Sequence, residues 1–347
     1  MTESAWRFPA EWEPQSAVLV AWPHSGTDWA ARLPSVEGTY VALVAAIVRF
    51  ESCLVLVPDE RVLSHARQLL AAGGVDLARV RFEVLEYDDT WLRDSGPITL
   101  RGRDGDRKVL DFHFTAWGGK FAAGRDDKIV AELRRRGVLV ADAYERIDFA
   151  LEGGGIETDG AGTLLSTWRC LHERHPRLDR GEVAEKLKAW LGQSRVLWLN
   201  HGYLEGDDTD AHIDTLARFA AVDAIVYQGC DDPADSHWNE LHAMAAELSA
   251  LRTADGAPYR LFELPWPRPI RDGDRRLAAS YANFLIVNDA VLMPVYGDPA
   301  DGRAALVMGQ AFPRHEIVPI PCRPLIWQNG SLHCLTMQLP EGMLAGA

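Results

Sequence analysis

Cys334 follows a Gly-Ser break in the run Gln328-Asn-Gly-Ser-Leu-His-Cys-Leu335, where a turn of small residues can present a thiol into a cleft. A thiol becomes a strong nucleophile when a neighbouring cation or a helix N-terminus lowers its pKa from ~8.5. Taken alone, Cys334 reads as a small apolar residue of a buried strand, because free cysteines are often buried. Three further clusters change that reading. His212-Ile213-Asp214 lies in a dense polar run, residues 205–215. In an extended segment residues two apart share a face, so this imidazole and carboxylate would line one cleft, the carboxylate tuning the imidazole as acid or base. Trp91 and Asp94 set an aromatic face beside a carboxylate, which holds a planar cation by stacking and charge, although Asp94 before Gly96-Pro97 also suits a plain turn. Glu152 precedes three glycines, which permit either close backbone approach or a simple hairpin turn. No Lys-Ser/Thr follows them, so this is not a phosphate loop.

The other candidates carry the plainer reading. His172 and His175 have no third ligand beside them and are expected on a solvated face. His333, next to Cys334 in a strand, would point away from it. Cys53, Cys170, Cys230 and Cys322 are expected to be packing residues. No convincing metal site is offered, and neither metal nor cofactor is expected.

Strands and helices alternate around these clusters. Short apolar runs at residues 17–22 and 53–57 read as buried strands, and residues 36–50 have helical spacing. Asp59 can cap a helix running through Leu70, which Gly73-Gly74 stop. A strand is expected at 80–87, then an acidic loop carrying Trp91 and Asp94 that runs directly into the next strand. Further helices are expected at 127–136, 183–191, 236–253 and 302–312. Strands are expected at 109–114, 196–199, 261–264 and 317–320, and hairpins join 149–157 to 162–167 and, around Asn288-Asp289, 280–287 to 290–295. The hairpins are too many for a doubly wound parallel sheet. A mixed α/β fold with several similar blocks is the reading that remains.

The 347 residues, 47% hydrophobic and 25% charged, have the composition of a globular chain and are read as one domain, residues 1–347. No run of about 18 apolar residues predicts a membrane span. Residues 1–14 contain no apolar signal core, and five scattered cysteines without a CxxC pair argue against a disulfide framework, so a cytoplasmic location is expected. A net charge of −14 disfavours nucleic acid and suits a cationic substrate, since a cleft of one sign concentrates the other. The expected partners are a small cationic substrate and, as a homodimer, a second copy of the chain, with no nucleic acid and no membrane.

Pro9-Ala-Glu-Trp-Glu-Pro14, Trp91-Leu-Arg-Asp-Ser-Gly-Pro97, Ala116-Trp-Gly-Gly119, Leu151-Glu-Gly-Gly154, Gly206-Asp-Asp-Thr209, His212-Ile-Asp214, Ser280-Tyr-Ala-Asn283 and His333-Cys334 occur in that order across nearly the whole chain. Together they resemble the agmatine deiminase family, which also contains the bacterial peptidylarginine deiminases and belongs to the guanidino-group-modifying enzymes. The resemblance implies a pentein-type α/β propeller: five ββαβ-like blocks around a pseudo-fivefold axis, with the active site in the central channel. It implies that Cys334 attacks a guanidinium carbon and that His212, Asp94 and Asp214 complete the site. Glu152 would support His212, Trp91 would line the guanidinium pocket, Asp208 would reach the far end of the substrate, and Asn283 would contact it.

The chemistry suits those roles. A guanidinium stays charged at neutral pH, so burying it requires partners, and two carboxylates can grip its N–H groups and orient the carbon. The bound cation favours thiolate at Cys334. His212 would protonate the departing ammonia and then activate water against a thiouronium intermediate. The sequence departs from the family's usual pattern at Thr209-Asp-Ala-His212 and at Asn329-Gly-Ser-Leu-His-Cys334, which bears on the substrate's tail rather than on the deimination step. Agmatine, giving N-carbamoylputrescine and ammonia, is the expected substrate. A C-terminal peptidyl arginine would call for basic residues near the site, and no basic cluster stands beside the site motifs. A non-catalytic guanidino or polyamine binder would need the carboxylates but not the thiol.

Overall fold

A computed structural model describes residues 5–346, so residues 1–4 of the amino-terminal segment discussed above lie outside the described residues. One unit recurs in it. Two strands pair antiparallel, and a third lies parallel beside the second after a helical crossover. The unit is seen in Ile98–Gly102, Arg107–His113 and Ala143–Ala150, with the helix Ile129–Arg135 in the crossover. It recurs in Ile156–Thr158, Thr163–Thr167 and Arg195–Leu199, with Trp168–Arg174 and Arg180–Leu191 between. Ala217–Ala221, Ala224–Gln228 and Arg260–Leu264 repeat it around Trp238–Ala250. Leu285–Val287, Ala290–Val295 and Glu316–Pro321 repeat it around Asp301–Ala311. The fifth joins the chain's ends. Thr336–Pro340 pairs antiparallel with Gln15–Ala21, which is parallel to Ser52–Val57 across the helix Leu33–Ile47, and Val80–Val84 adds a further parallel strand.

Parallel neighbours need a crossover of a dozen residues or more, usually a helix, and each helix here has its punctuation in the sequence. Asp59 accepts from Val62 N at 2.8 Å and starts Glu60–Ala72. Asp179 and Glu182 form a capping box for Arg180–Leu191, which ends at Gly192 with φ 64°. The strands at 17–21 and 53–57 are buried throughout, as their continuous apolar runs require. The strand pairing shows a mixed α/β fold of separate sheets; among the described residues the sheets do not close on one another into a ring. No helix among them is long and apolar enough to cross a membrane.

Several local expectations are corrected, all where polar contacts override the apolar pattern. The acidic loop is interrupted by a helical turn, Leu92–Ser95, that carries Asp94. Residues 213–215 and 333–335 are 3-10 turns rather than extended segments, so His212 and Asp214 face the site through a turn and not through strand alternation. His175 is not on a solvated face: its ring stacks on Phe149 at 3.6 Å and it bonds the Ala150 carbonyl at 2.8 Å.

Candidate active site

The ends of several units meet at a cavity of ≈ 190 Å³ whose lining includes Cys334, Asp94, Trp91, Trp117, Asp208 and Asn329. The turn His333–Leu335 delivers Cys334, which is 3% exposed. Its Sγ lies 3.3 Å from Asn283 Nδ2 and 3.8 Å from Asp214 Oδ2. Asn283 Oδ1 also accepts from His333 N at 2.9 Å and Cys334 N at 3.3 Å, so this asparagine holds the turn that carries the thiol. Burial first, then the Asp214 and Asp94 carboxylates, push the thiol pKa well above its ordinary value. Both effects favour the thiol over the thiolate.

Asp94 accepts from Trp117 Nε1 at 2.8 Å and from Gly154 N at 3.0 Å. Burial, opposed by His212 and reinforced by Asp214 and Glu152, raises its pKa to about 6. Asp214 is fully buried; Oδ2 accepts from His333 Nδ1 at 2.8 Å, and Oδ1 has no hydrogen-bond partner among the described residues. Burial works against its charge, but the His333 hydrogen bond and nearby positive charge hold its pKa below the ordinary value.

His212 places Nδ1, which has no hydrogen-bond partner, 3.6 Å from Asp94 Oδ1, and Nε2 3.4 Å from Glu152 Oε2. Burial disfavours its charge, yet Asp94 and Glu152 hold its pKa well above the usual histidine range. Glu152 is fixed in turn by Arg174, whose Nε donates to Oε1 at 2.7 Å. Burial opposes ionisation of Glu152, and His212 with Arg174 outweigh it.

Of the three glycines after Glu152, Gly153 has the Arg93 carbonyl oxygen 2.2 Å from where a Cβ would stand, and Gly154 is required by the close approach of the site side chains. A Cβ there would lie 2.6 Å from His212 Nδ1, 2.8 Å from Asp94 Oδ1 and 3.1 Å from Asp214 Oδ2. Gly330 plays a similar part on the other wall, where a Cβ would lie 2.3 Å from the Trp91 ring.

All eight residues singled out in the sequence are accounted for, with changes of role for some. Trp91 lines the cavity, but the indole bonded to Asp94 belongs to Trp117. Asp208 lines the outer part, where Oδ2 accepts from Asn329 at 2.8 Å. Asn283 touches the thiol rather than the open cavity. Cys170 is more than packing: its Sγ is 3.9 Å from Glu152 Oε2. Glu152, Cys170 and His212 bring possible ligand atoms within 4.8 Å of one another. Within this trio Glu152 is already engaged, Oε1 by Arg174 Nε at 2.7 Å and Oε2 by His212 Nε2 at 3.4 Å.

Reading the sequence missed His333, Glu11 and Arg218. His333 stands in a 3-10 turn rather than a strand and bridges Asp214 and Glu11: Nδ1 bonds Asp214 Oδ2, the oxygen 3.8 Å from Cys334 Sγ, and Nε2 lies 2.8 Å from Glu11 Oε2. Arg218 pairs with Glu11 at 2.9 Å and Glu157 at 3.0 Å. Glu11 stood inside the Pro-Ala-Glu-Trp motif, the one available signal. Arg275 also lines the cavity, as a single basic side chain rather than a basic cluster.

A family model described as Porphyromonas-type peptidyl-arginine deiminase matches residues 7–340. The agmatine deiminase of Stutzerimonas stutzeri is 32% identical over 363 residues, covering 97% of this chain and 96% of that one. Among solved structures, a Porphyromonas gingivalis protein provisionally assigned as an arginine deiminase superposes with a TM-score of 0.90 at 46% identity, covering 98% of this chain and 99% of its own. The C. jejuni agmatine deiminase with substrate bound, solved as a cysteine-to-serine variant, gives 0.89 at 33% identity, with 97% of each chain covered.

Proposed function

The chain belongs to the Porphyromonas-type peptidyl-arginine deiminase family, and on that premise we propose that it hydrolyses agmatine to N-carbamoylputrescine and ammonia. The observation that carries this reading is the convergence of a thiol, two carboxylates and an imidazole: Cys334 and Asp94 line the cavity, Asp214 Oδ2 lies 3.8 Å from Cys334 Sγ, His212 Nδ1 lies 3.6 Å from Asp94 Oδ1, and among the described residues Asp214 Oδ1 and His212 Nδ1 have no hydrogen-bond partner. The five repeated units are read as arranged around a pseudo-fivefold axis, forming one catalytic domain.

The guanidinium sits between Asp94 and Asp214, which accept its N–H groups and set its central carbon against Cys334 Sγ. Its positive charge offsets the two carboxylates that raise the thiol pKa, so the thiol loses its proton when substrate is present. The sulfur forms a bond to the guanidinium carbon. His212 gives a proton to the departing nitrogen, the C–N bond breaks and ammonia leaves, with a thiouronium left on Cys334. Neutral His212 then takes a proton from water as its oxygen attacks the same carbon. The C–S bond breaks as the new hydroxyl passes its proton to the departing sulfur, which restores the thiol and leaves the product's carbonyl, and the proton that the thiol first gave up to solvent ends on ammonia as ammonium. Glu152 keeps the imidazole oriented throughout.

Asp28, Asp89 and Asp208 face the outer cavity and suit the amine at agmatine's other end. Arg275 would suit the carboxylate of a peptidyl arginine, but its donors are directed to Asn329 Oδ1, at 2.8 Å, and to the Trp327 carbonyl. The test is ammonia release from agmatine, free arginine and a peptide ending in arginine, each with purified protein. Release from agmatine at a kcat/KM at least ~10²-fold above the other two is the expected result. Preference for the peptide would replace agmatine with a peptidyl substrate, and no release from any of them would leave a guanidino binder.

Acid should weaken the reaction through Asp94. The carboxyl, with its pKa at about 6, must be ionised to grip the cation, so kcat/KM for agmatine should fall as pH drops through 6. The linked stability has the opposite sign. A raised carboxyl pKa stabilises the empty fold below the unfolded value and loses that contribution as pH rises through 6, until a bound cation restores it. The rise in melting temperature produced by agmatine should therefore be larger at pH 8 than at pH 5. Equal shifts at both pH values would show that Asp94 does not hold the cation.

Gly154→Ala should lower kcat by on the order of 10²-fold, because a methyl group would enter the space between His212, Asp94 and Asp214 and displace them. Steady-state kinetics on a variant with near-parental melting temperature checks this. Full activity would mean that the three groups are not confined as described.

A further inference from the structure

Asp210 and Ala211 both adopt the left-handed conformation, φ 68° and 69°, immediately before His212. Side chains other than glycine rarely occupy that region, and two such residues in succession persist only where the surroundings fix them. Asparagine and aspartate tolerate it, and alanine gains nothing there. We propose that Asp210 is a positioning residue for His212: its carboxylate, clasped between Lys120 and Arg174, holds the left-handed turn that sets the imidazole.

Asp210 Oδ2 lies 2.7 Å from Lys120 Nζ and 2.6 Å from Arg174 Nη1. Arg174 is buried, and its other donors go to Glu152 Oε1 at 2.7 Å and to the Thr209 carbonyl at 3.1 Å. One guanidinium therefore fixes two things: the backbone that delivers His212 and the carboxylate beside its Nε2. Lys120 follows Ala116–Gly119, the turn that brings Trp117 Nε1 to Asp94. The clasp thus joins the support of Asp94 to the support of His212. Backbone bonds complete the turn. Ala211 N donates to Asp207 Oδ2 at 2.9 Å, and Thr167 Oγ1 donates to the Ala211 carbonyl at 2.7 Å.

Asp210 is absent from the cavity lining, where its neighbours Asp208 and Thr209 stand, so it acts through His212. His212 Nδ1 is 3.6 Å from Asp94 Oδ1, beyond a good hydrogen bond, and a small rotation of the turn changes that geometry markedly.

The rate measurements rest on the deiminase reading; a second readout does not. Asp210→Asn removes the ion pairs while keeping size and left-handed tolerance. It should lower kcat on the order of 10–100-fold and leave KM within about twofold, since no substrate contact is lost. Adding Ala211→Gly should return kcat to within about threefold of the parent, because glycine adopts this φ without steric cost. A double variant as slow as Asp210→Asn, or an Asp210→Asn enzyme at full rate, would overturn the proposal. If Asp210→Asn does not fold, Lys120→Met removes one of the two cations from the exposed side, and Ala211→Gly should rescue its smaller rate loss in the same way.

Independently of turnover, the His212 ring can be followed by NMR in Cys334→Ser protein. Asp210→Asn should move its titration curve and Ala211→Gly should move it back. An inactive parent with that His212 response would sink the deiminase reading alone. An active parent whose His212 ring ignores both changes would sink the positioning role alone.

Discussion

Cys334→Ser should abolish ammonia release from agmatine, by at least ~10⁴-fold in kcat, while agmatine still binds. The substitution is nearly isosteric, and the Asn283 Nδ2 contact at 3.3 Å and the backbone bonds that hold the turn involve no property peculiar to sulfur. What is lost is an atom that can ionise when a cation arrives. Burial and two carboxylates push even the thiol pKa well above its ordinary value, and a hydroxyl is a far weaker acid. Asp94, Asp214 and Asp208 remain to bind the substrate, so calorimetric titration should give an agmatine affinity close to the parent KM. Binding without turnover in the variant, with turnover in the parent, separates a catalyst from a guanidino binder. Residual turnover within tenfold of the parent would show that another group forms the covalent bond.

The fold was legible in the sequence wherever apolar periodicity and punctuation agreed. Asp59 with Gly73-Gly74 bracketed a helix, and Asn288-Asp289 marked a hairpin, Asp289 adopting φ 61°. The paired strands of each unit were partly legible, as hairpins too frequent for a doubly wound sheet. Cys334, His212, Asp94 and Asp214 were legible as residue types and motif members, and the structure sets them side by side, Cys334 and Asp94 in the cavity lining and Asp214 and His212 buried against them. Their mode of presentation was not. His212 and Asp214 share the site through a 3-10 turn preceded by two left-handed residues. Such a conformation depends on Lys120 and Arg174, which lie 90 and 36 residues away. The same limit hid Trp117 as the partner of Asp94 and His333 as the partner of Asp214. Neither contact has a local period, because each joins segments from different units.

Arg218→Met should destabilise the protein by ~3–5 kcal/mol, a large part of a total stability of about 5–15 kcal/mol. Arg218 is fully buried, donates to Glu11 and Glu157, bonds the Phe284 carbonyl and lies 4.6 Å over the Phe284 ring. Methionine fills much of the volume but leaves two buried carboxylates without their cation. Glu11 shows the consequence most directly. Burial pushes its pKa up, and at present Arg218, His333 and Arg93 outweigh that and hold it far below the ordinary range. Without Arg218, burial gains the upper hand, and Glu11 and Glu157 should take up protons in the folded state. A raised folded pKa makes the loss grow with pH, so urea unfolding should show a larger deficit at pH 8 than at pH 5. Adding Glu11→Gln and Glu157→Gln should recover part of the stability at pH 8, because neutral amides cost less to bury than unpaired carboxylates. A deficit below ~1 kcal/mol, or one that does not change with pH, would mean that water or a rearranged neighbour already serves these carboxylates. Activity should fall along with stability, because Glu11 also holds His333 and His333 holds Asp214. On the proposed mechanism, the carboxylate that grips the substrate is thus the end of a buried charge network that runs through His333, Glu11 and Arg218 to Glu157.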